Sequence, residues 1–531
     1  MIMRSRVSPM MSDRWDTVTD MSAVPVAPAD TKLDAAVLKV AGVVVLGAIM
    51  SILDITVVSV ALPTFQTVFH TSYANVAWTM TGYTLALATV IPLSGWAADR
   101  YGTKRMYITA LVLFVLGSAL CSTAWNIGSL ITFRVLQGLG GGMLMPVGMA
   151  IMTRAAGPER IGRVMAVLGV PMLLGPITGP ILGGWLIEAA SWHWIFLINV
   201  PIGAASLVYA FLVLPKDTPK PSESFDFLGM LLLSPGLALF LFGVSSIPGE
   251  GTVAAARVLI PGAIGLVLVA LFVRHAFRPE HPLIDLRLFK NRQLTISTIA
   301  MFLFAVAFFG AGLLIPSYFL QVRGQSTLHA GLLVAPQGLG AMITMPLAGV
   351  LADRIAISKI VVPGLALITA GMAVLTQVGP HTSYLLVEGV LFTMGLGMGA
   401  TMMPLFTASL QTLSGPTIAR GSTLMNIMQQ IASSIGAAVM SVILTNQVRN
   451  SQFAGPAVAS RNDKTIADKL TPAQLAQGFA DAAHGFATTF TVALVLIILT
   501  IVPALLLPRR KVAAPPADAT GEQPSVPVAM H

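Results

Sequence analysis

Two charged residues, Asp54 and Arg134, lie inside long apolar stretches of this sequence. A charge at the centre of a membrane-spanning helix costs about 2.5 to 3.5 kcal/mol, so two such charges are expected to face each other inside a bundle. Counted from Pro63 and from Ile127, the predicted outer ends of their helices, they lie at depths of about 13 and 10 Å. The spacing therefore predicts an ion pair, which either binds and releases a proton as its surroundings change or only positions two helices.

A second group of side chains could contact a ligand. Polar residues recur with helical spacing from Asn426 to Ser434 on an otherwise apolar segment, and such a stripe either binds neighbouring helices or lines a hydrated cavity. Methionines suit a surface that accepts many shapes, although most are core residues. Glu388 either reaches the outer interface or provides an acidic contact for cations. The predicted cavity residues are Gln137, Met145, Glu388, Asn426, Gln429 and Gln430.

The elements that must position these side chains are membrane-spanning helices. Hydrophobic residues form 55% of the 531 and charged residues only 10%, whereas soluble proteins have about 25% charged residues. The apolar residues form fourteen blocks of about 20, the length that crosses a bilayer as a helix, and they do not alternate in polarity as β-barrel strands do. The predicted fold class is an all-α integral membrane protein with fourteen spans.

Positive charge predicts the orientation of these helices. With both termini in the cytoplasm, the cytoplasmic segments contain 24 of the 31 Lys and Arg residues, as positively charged loops remain on that side. Contact of these loops with anionic lipid headgroups explains the basic composition, so no nucleic-acid partner is needed to account for it. Cys121 lies alone in an apolar block, which excludes a disulfide framework and indicates a packing residue.

The sequence repeats itself. Gly95-Trp-Ala-Ala-Asp-Arg100 recurs as Gly349-Val-Leu-Ala-Asp-Arg354, and Gly138-Leu-Gly-Gly-Gly142 recurs as Gly395-Leu-Gly-Met-Gly399. The offsets, 254 and 257 residues, indicate two duplicated six-helix halves separated by an inserted helix pair. The predicted organisation is an amino-terminal cytoplasmic segment 1–35, a first half 36–215, an inserted pair 216–275, a connector 276–293, a second half 294–508 with an external loop 446–485, and a disordered tail 509–531.

Charged residues at the cytoplasmic helix ends form a third candidate group. They either meet water and headgroups or form a latch that holds the halves together in one conformation. The repetition of the Asp-Arg pair favours the latch. Its predicted members are Gly95, Asp99, Arg100, Gly102, Asp353 and Arg354.

Glycines recur every four residues in the fifth block. Such a face permits close approach of a neighbouring helix, and the adjacent prolines remove backbone donors. The spacing alone indicates a packing interface; a role in the direction of transport is implied only by a family resemblance. The residues are Gly175, Pro176, Gly179, Pro180, Gly183 and Gly184.

Taken together, these segments resemble the major facilitator superfamily, in its fourteen-helix drug:proton antiporter branch. The resemblance spans Leu53 to Leu507, and Ser59, Ala97, Thr103 and His193 differ from the usual residues. The matching segments are Leu53–Pro63 for the first-helix motif, Gly95–Arg105 for the loop motif, Arg134–Gly138 for the motif attributed to proton coupling, Gly175–Gly184 for the antiporter motif, and Trp192–Pro201 for a branch signature.

The resemblance implies a secondary active exporter of lipophilic, possibly cationic, drugs in exchange for protons. The alternatives are export of an endogenous lipid, siderophore or antibiotic, and a receptor or scaffold, against which Asp54 and Arg134 argue. The sequence has no phosphate-binding Gly-Lys-Ser/Thr loop and no spaced set of His and Cys residues. It therefore gives no indication of an enzyme, an ATP site or a metal site. We expect no cofactor, a monomer whose partners are lipophilic substrates, protons and lipids, and a location in a bacterial cytoplasmic membrane.

Overall fold

The computed structural model describes residues 34–71, 73–156, 160–216, 225–250, 252–280, 282–352, 354–413, 416–461, 466 and 468–509. These ranges form sixteen α-helices and a 3-10 helix over Leu286–Lys290, with no strand among them. The predicted all-α class is confirmed.

Each predicted apolar block coincides with one helix, or in one case with two short ones. The first half contains α1 (Ala35–Val68), α2 (Tyr73–Tyr101), α3 (Thr103–Ser122), α4 (Ile127–Ala156), α5 (Ile161–Ala189), α6 (Trp194–Leu197) and α7 (Asn199–Val213). The inserted pair is α8 (Phe227–Glu250) and α9 (Ala256–His275). The second half contains α10 (Arg292–Gln321), α11 (Thr327–Ala352), α12 (Ser358–Leu375), α13 (Tyr384–Leu410), α14 (Pro416–Asn450), α15 (Ala454–Ala459) and α16 (Pro472–Leu505).

Twelve helical segments in the described part of the chain are long and apolar enough to cross a membrane, by length and composition. The two remaining predicted spans are α2 and α5, which have 29 residues each and a length of about 44 Å. We call the face on which α1 begins and α16 ends the inner face, and the opposite one the outer face.

On the outer face, the helices extend beyond two of the predicted boundaries. Helix α1 does not end near Pro63 but continues to Val68. The external loop predicted over 446–485 is shorter, because α14 reaches Asn450 and α16 already begins at Pro472. At that start the Thr471 hydroxyl accepts from the Gln474 backbone while the Gln474 side chain accepts from the Thr471 backbone, a capping box that supports a helix beyond the apolar block.

Glycine contacts repeat in the two halves with the spacing of the sequence repeat. A methyl group added at Gly138 would lie 2.5 Å from the carbonyl oxygen of Tyr83, so α4 touches the backbone of α2 there. Its counterpart Gly395 packs in the same way on the carbonyl oxygen of Gln337 in α11, 254 positions after residue 83. The duplication thus extends from sequence to helix packing.

A second pair of contacts repeats where α1 meets α5. Gly175 packs on Ile52, and Gly436 of α14 packs on the backbone of Val306 in α10, again 254 positions after residue 52. Helices α1 and α10 are therefore equivalent, as are α5 and α14.

The inserted pair is attached to the first half through α2. The Ser234 hydroxyl of α8 donates to the carbonyl oxygen of Thr89 at 2.7 Å, and the rings of Trp78 and Phe242 stack with centroids 5.3 Å apart. Toward the outer face, a gap of about 220 Å³ separates α8 from α14. The described residues that line this gap are all apolar: Val244, Ile247, Val253, Ile435, Ala438, Val439, Val442 and Ile443.

Asp226 fixes the inner ends of the inserted pair. Its carboxylate lies 2.7 Å from Nε2 of His275 at the end of α9 and accepts hydrogen bonds from the backbone N–H groups of Gly229 and Leu283. Leu283 belongs to the connector predicted over 276–293. One carboxylate therefore holds the start of α8, the end of α9 and the chain leading to the second half.

Candidate functional site

The structure brings Asp54 of α1 and Arg134 of α4 together as an ion pair between Oδ2 and Nη1, with neither side chain accessible to solvent. Removing one member of such a pair leaves an uncompensated buried charge. The pair lies entirely within the first half.

Two side-chain amides complete the coordination of the Asp54 carboxylate. Gln137 Nε2 donates to Oδ1 at 2.8 Å, and Asn199 Nδ2 donates to the same oxygen at 3.2 Å. Both amides also donate to the Ser118 hydroxyl oxygen, at 3.1 and 3.0 Å. Five of these side chains, which we call the polar cluster, are buried: Asp54, Ser118, Arg134, Gln137 and Asn199.

The Arg134 guanidinium has further contacts around the pair. Nε donates to the carbonyl oxygen of Thr79 at 3.1 Å, Nη1 donates to Gln137 Oε1 at 2.7 Å, and the group stacks 4.1 Å above the Tyr83 ring. Nη2 is buried and has no acceptor among the described residues. A buried unsatisfied donor is unfavourable, so this nitrogen offers a site to an incoming acceptor.

Small residues and a helix interruption let six helices converge on the polar cluster. A methyl group at Gly117 would lie 2.6 Å from Cα of Gln137, so only glycine lets α3 approach α4 this closely. Ile198 separates α6 from α7, and Pro201, which follows three residues later, lacks the N–H that would continue the helix from Leu197. Beside this interruption, the carbonyl oxygen of Phe196 accepts from Ser118 Oγ at 3.0 Å.

The hydrogen bonds that the structure gives the Asp54 carboxylate all come from N–H donors, two on Oδ1 and one on Oδ2. This is the arrangement of an ionised carboxylate, which only accepts. A proton on Oδ1 would meet an oxygen that already accepts from both amides, so proton uptake at Oδ1 requires Gln137 or Asn199 to move.

The second half has apolar residues at the equivalent positions. Applying the offsets of 254 residues for α1 and α3 and 257 for α4, the counterparts of Asp54, Ser118, Arg134 and Gln137 are Phe308, Met372, Leu391 and Met394. All four counterparts are buried. The polar cluster is thus a property of one half.

The predicted latch residues are only partly brought together. Asp99 pairs with Arg154 of α4 at 2.5 Å, a partner in the first half. Gly95, by contrast, faces the second half, since a methyl group there would lie 3.0 Å from Thr423 Oγ1. Gly102 has a φ of 96°, which favours glycine at the start of α3.

The other latch residues contribute less. Arg354 is exposed beyond the end of α11, Arg100 is half-buried in α2, and Asp353 lies outside the described residues.

The halves also meet elsewhere near the inner face. Ser422 Oγ of α14 lies 2.8 Å from Met149 Sδ of α4, and Gly169 of α5 packs on Met345 of α11. Each contact is six to eight residues from the inner end of its helix, a depth of about 10 Å. The bundle is therefore closed at this depth.

The glycine motif of α5 packs against α1 beside the polar cluster. The Thr56 hydroxyl donates to the carbonyl oxygen of Gly175 at 3.0 Å, and a methyl group at Gly179 would lie 2.5 Å from Thr56 Cβ. Gly183 faces Val57, and Gly184 faces open space. The side chains of Pro176 and Pro180 lie outside the described part of the structure.

The predicted cavity residues lie on three helices. Gln137 belongs to the polar cluster and is fully buried, and its place on a cavity wall stays a prediction. Met145 and Glu388 are half-buried on α4 and α13.

The remaining cavity candidates follow α14. Asn426 donates to the carbonyl oxygen of Ser422 at 2.8 Å, while the backbone of Gln429 accepts from Ser433. Gln430 lies between α2 and α8, beside Ala88. Their contact with a substrate stays a prediction.

Sequence reasoning missed Ser118, Asn199 and Arg154 and assigned Cys121 only a packing role. Cys121 Sγ lies 3.6 Å from Gln137 Oε1 and borders the cluster. Asn199 was within the segment Trp192–Pro201, where an amide in an apolar block was an available signal. Ser118 and Arg154 had no comparable signal, because serines and terminal arginines are common in membrane helices.

The chain is similar to known proteins over most of its length. The family model described as Major Facilitator Superfamily matches residues 44–437. The chain is 50% identical over 494 residues to the Mycobacterium tuberculosis protein named Multidrug resistance protein B homolog, covering 90% of this chain and 92% of that one. It is 32% identical over 411 residues to the Putative multidrug resistance protein MdtD of Shigella sonnei, covering 76% and 85%.

A solved structure shares the fold. The human organic anion transporter MFSD10 (TETRAN) aligns with a TM-score of 0.58 at 17% identity, covering 87% of this chain and 99% of that chain. At this identity the likeness concerns the fold alone.

Proposed function

The chain belongs to the major facilitator superfamily, as a multi-pass integral membrane protein, and on that premise we propose that it exports lipophilic compounds in exchange for protons. The names of its relatives, both multidrug resistance proteins, support drugs or toxic compounds as substrates. Their bacterial origin supports a location in a bacterial cytoplasmic membrane.

The observation that carries the proposal is the buried ion pair of Asp54 and Arg134. An intramembrane carboxylate held by a guanidinium and two amides is expensive to maintain for packing alone, and such residues mark ion pathways in membrane proteins. Asp54 is the carboxylate of the cluster and therefore the group that can accept a proton when its surroundings change.

In the proposed exchange, proton binding and substrate binding favour opposite charge states of the Asp54 carboxylate. When the outer side opens, a proton binds Asp54, releases its hydrogen bonds and weakens its attraction for Arg134. When the inner side opens, substrate binding favours the ionised form, and the proton leaves toward the inner face. Opening that face requires the contacts of Gly95 with Thr423 and of Gly169 with Met345 to separate.

We place the inner face in the cytoplasm because the segments there contain most of the Lys and Arg residues. With Cys121→Ser as background, a cysteine at Lys290 should resist an impermeant maleimide in intact cells. Labelling of that cysteine from outside would reverse the orientation.

Transport in inverted membrane vesicles tests the proposed exchange. Asp54→Asn keeps size and polarity but removes the titrating group, so we expect normal membrane levels, no pH-driven uptake of compounds and no substrate-induced proton release. The panel should combine lipophilic cations with neutral compounds and lipids, so that the substrate class is determined in the same experiment.

Asp481→Asn provides a matched control. Asp481 lies near the outer end of α16, where it accepts from Ser451 and Gln477, so this variant should transport at the wild-type rate. If Asp54→Asn retained pH-driven transport comparable to this control, Asp54 would not be the proton carrier.

A further inference from the structure

The donor and acceptor roles in the hydrogen bonds around Asp54 are fixed by a group outside the ion pair. The Ser118 hydroxyl donates to the carbonyl oxygen of Phe196, an atom that can only accept. Its single proton is thereby used, and the Ser118 oxygen can only accept from its other neighbours. Gln137 and Asn199 must consequently both turn their N–H groups toward Ser118 and, with the second hydrogen of each amide, toward Asp54.

The two amides differ in their freedom to turn over. Gln137 Oε1 accepts from Arg134 Nη1 at 2.7 Å and lies near Cys121 Sγ, so rotation of this amide would place an N–H against the guanidinium. The structure shows contacts of Asn199 only through its Nδ2. Of the two, Asn199 can rotate and present its oxygen to a protonated Asp54 without opposing Arg134, although the rotation breaks its hydrogen bond to Ser118.

Asn199 also lies at the helix interruption. It is the first residue of α7, directly after Ile198, where the chain leaves the short helix α6. Pro201, two residues later, lacks a backbone N–H, so Asn199 lies in the turn where the helical hydrogen bonding between α6 and α7 is incomplete.

From these contacts we propose that Asn199 is a positioning residue that stabilises ionised Asp54 and rotates when Asp54 is protonated on Oδ1. Ser118 holds Asn199 in the orientation for the ionised state. The proposal rests on the proposed exchange of protons at Asp54.

A test must separate the effect of Asn199 from the effects of the other groups that face Asp54. Among the described residues, the charged or titratable side chains around it are Arg134 of α4, Tyr83 of α2 and Cys121 of α3. Asn199 is neutral, so replacing it changes hydrogen bonding without changing the charge of the site.

The experiment measures substrate-induced proton release by purified protein in detergent as a function of pH. Asn199→Leu removes one donor from the carboxylate, which disfavours the ionised form, so the pH midpoint of release should move to higher pH by about one to two units. Ser118→Ala should move the midpoint in the same direction, because both amides lose the acceptor that orients them. Asn199→Gln keeps an amide and should restore part of the difference.

Ser206→Ala is the control. Ser206 is buried on the same helix α7, and its hydroxyl lies 3.8 Å from Met50 Sδ, away from Asp54. Its midpoint should equal that of the wild type. Membrane levels and size-exclusion profiles establish that each variant is folded.

The outcomes separate the two proposals. A wild-type midpoint for Asn199→Leu, or an equal shift for Ser206→Ala, would overturn the role of Asn199 while leaving the role of Asp54 intact. Substrate-induced proton release that persists in Asp54→Asn would instead overturn the proposed function itself.

Discussion

The residues of the polar cluster depend on each other because none can reach water. Arg134 supplies the only positive charge that the structure places against Asp54, and the amides alone cannot replace it. The pairing was predictable from sequence, since two charges at similar depths in apolar blocks have few other partners. The roles of Ser118 and Asn199 were not, because the direction of a hydrogen-bond chain depends on which backbone carbonyl it ends at.

Arg134→Leu should therefore destabilise the protein. It leaves a buried carboxylate without its counter-charge, a change that costs about 3 to 5 kcal/mol. We expect a clearly lower melting temperature in detergent and no proton-coupled transport.

The double variant Asp54→Asn with Arg134→Leu checks the cause. It removes both charges and should melt at a higher temperature than Arg134→Leu alone. Additive losses of stability in the double variant would contradict the proposed coupling between the two charges.

At the scale of helices, close packing between α1 and α5 keeps the cluster in place. Thr56, two residues after Asp54, lies directly under the glycine motif of α5. The regular spacing of the glycines predicted a packing face, and the structure identifies α1 as its partner. Sequence could not supply that partner, because the motif fixes which face of a helix is small but not what packs on it.

Gly179→Ala should disturb this contact, and Gly184→Ala should not. A methyl group at Gly179 would overlap Thr56, which destabilises by about 1 to 3 kcal/mol, whereas one at Gly184 meets no atom within 4 Å. Melting temperature and transport rate, measured for both variants at equal membrane levels, check the difference. Equal behaviour of the two variants would show that α1 and α5 do not require close contact at Gly179.

The inserted pair contacts its two neighbouring helices, α2 and α14, in different ways. Helix α8 is tied to α2 by a hydrogen bond and a ring stack but is separated from α14 by the apolar gap near the outer face. We expect the pair to move with the first half and to slide past α14. The existence of the pair was evident from the offset of the repeat, but its attachment depends on contacts such as that of Ser234, which no pattern distinguishes from other serines.

Cross-linking tests this movement in a Cys121→Ser background. A short cross-linker between cysteines at Val244 and Val439, which both line the gap, should stop transport until it is cleaved. Cysteines at Trp78 and Phe242, joined within the attached pair of helices, should leave transport unchanged. Continued transport with Val244 linked to Val439 would contradict the sliding movement.

For the whole molecule, duplication supplied two similar halves of which one kept a polar cluster and the other has Phe308, Met372, Leu391 and Met394 in its place. If Asp54 is the carrier, one proton crosses in each cycle, and this number fixes the electrical balance of exchange. Export of a monovalent cation then moves no net charge, whereas export of a neutral compound carries one positive charge inward. An imposed potential, negative inside, should accelerate the export of neutral compounds and leave that of monovalent cations unchanged; equal acceleration of both would require a second proton. The membrane voltage would thus discriminate between substrates that the protein itself accepts alike.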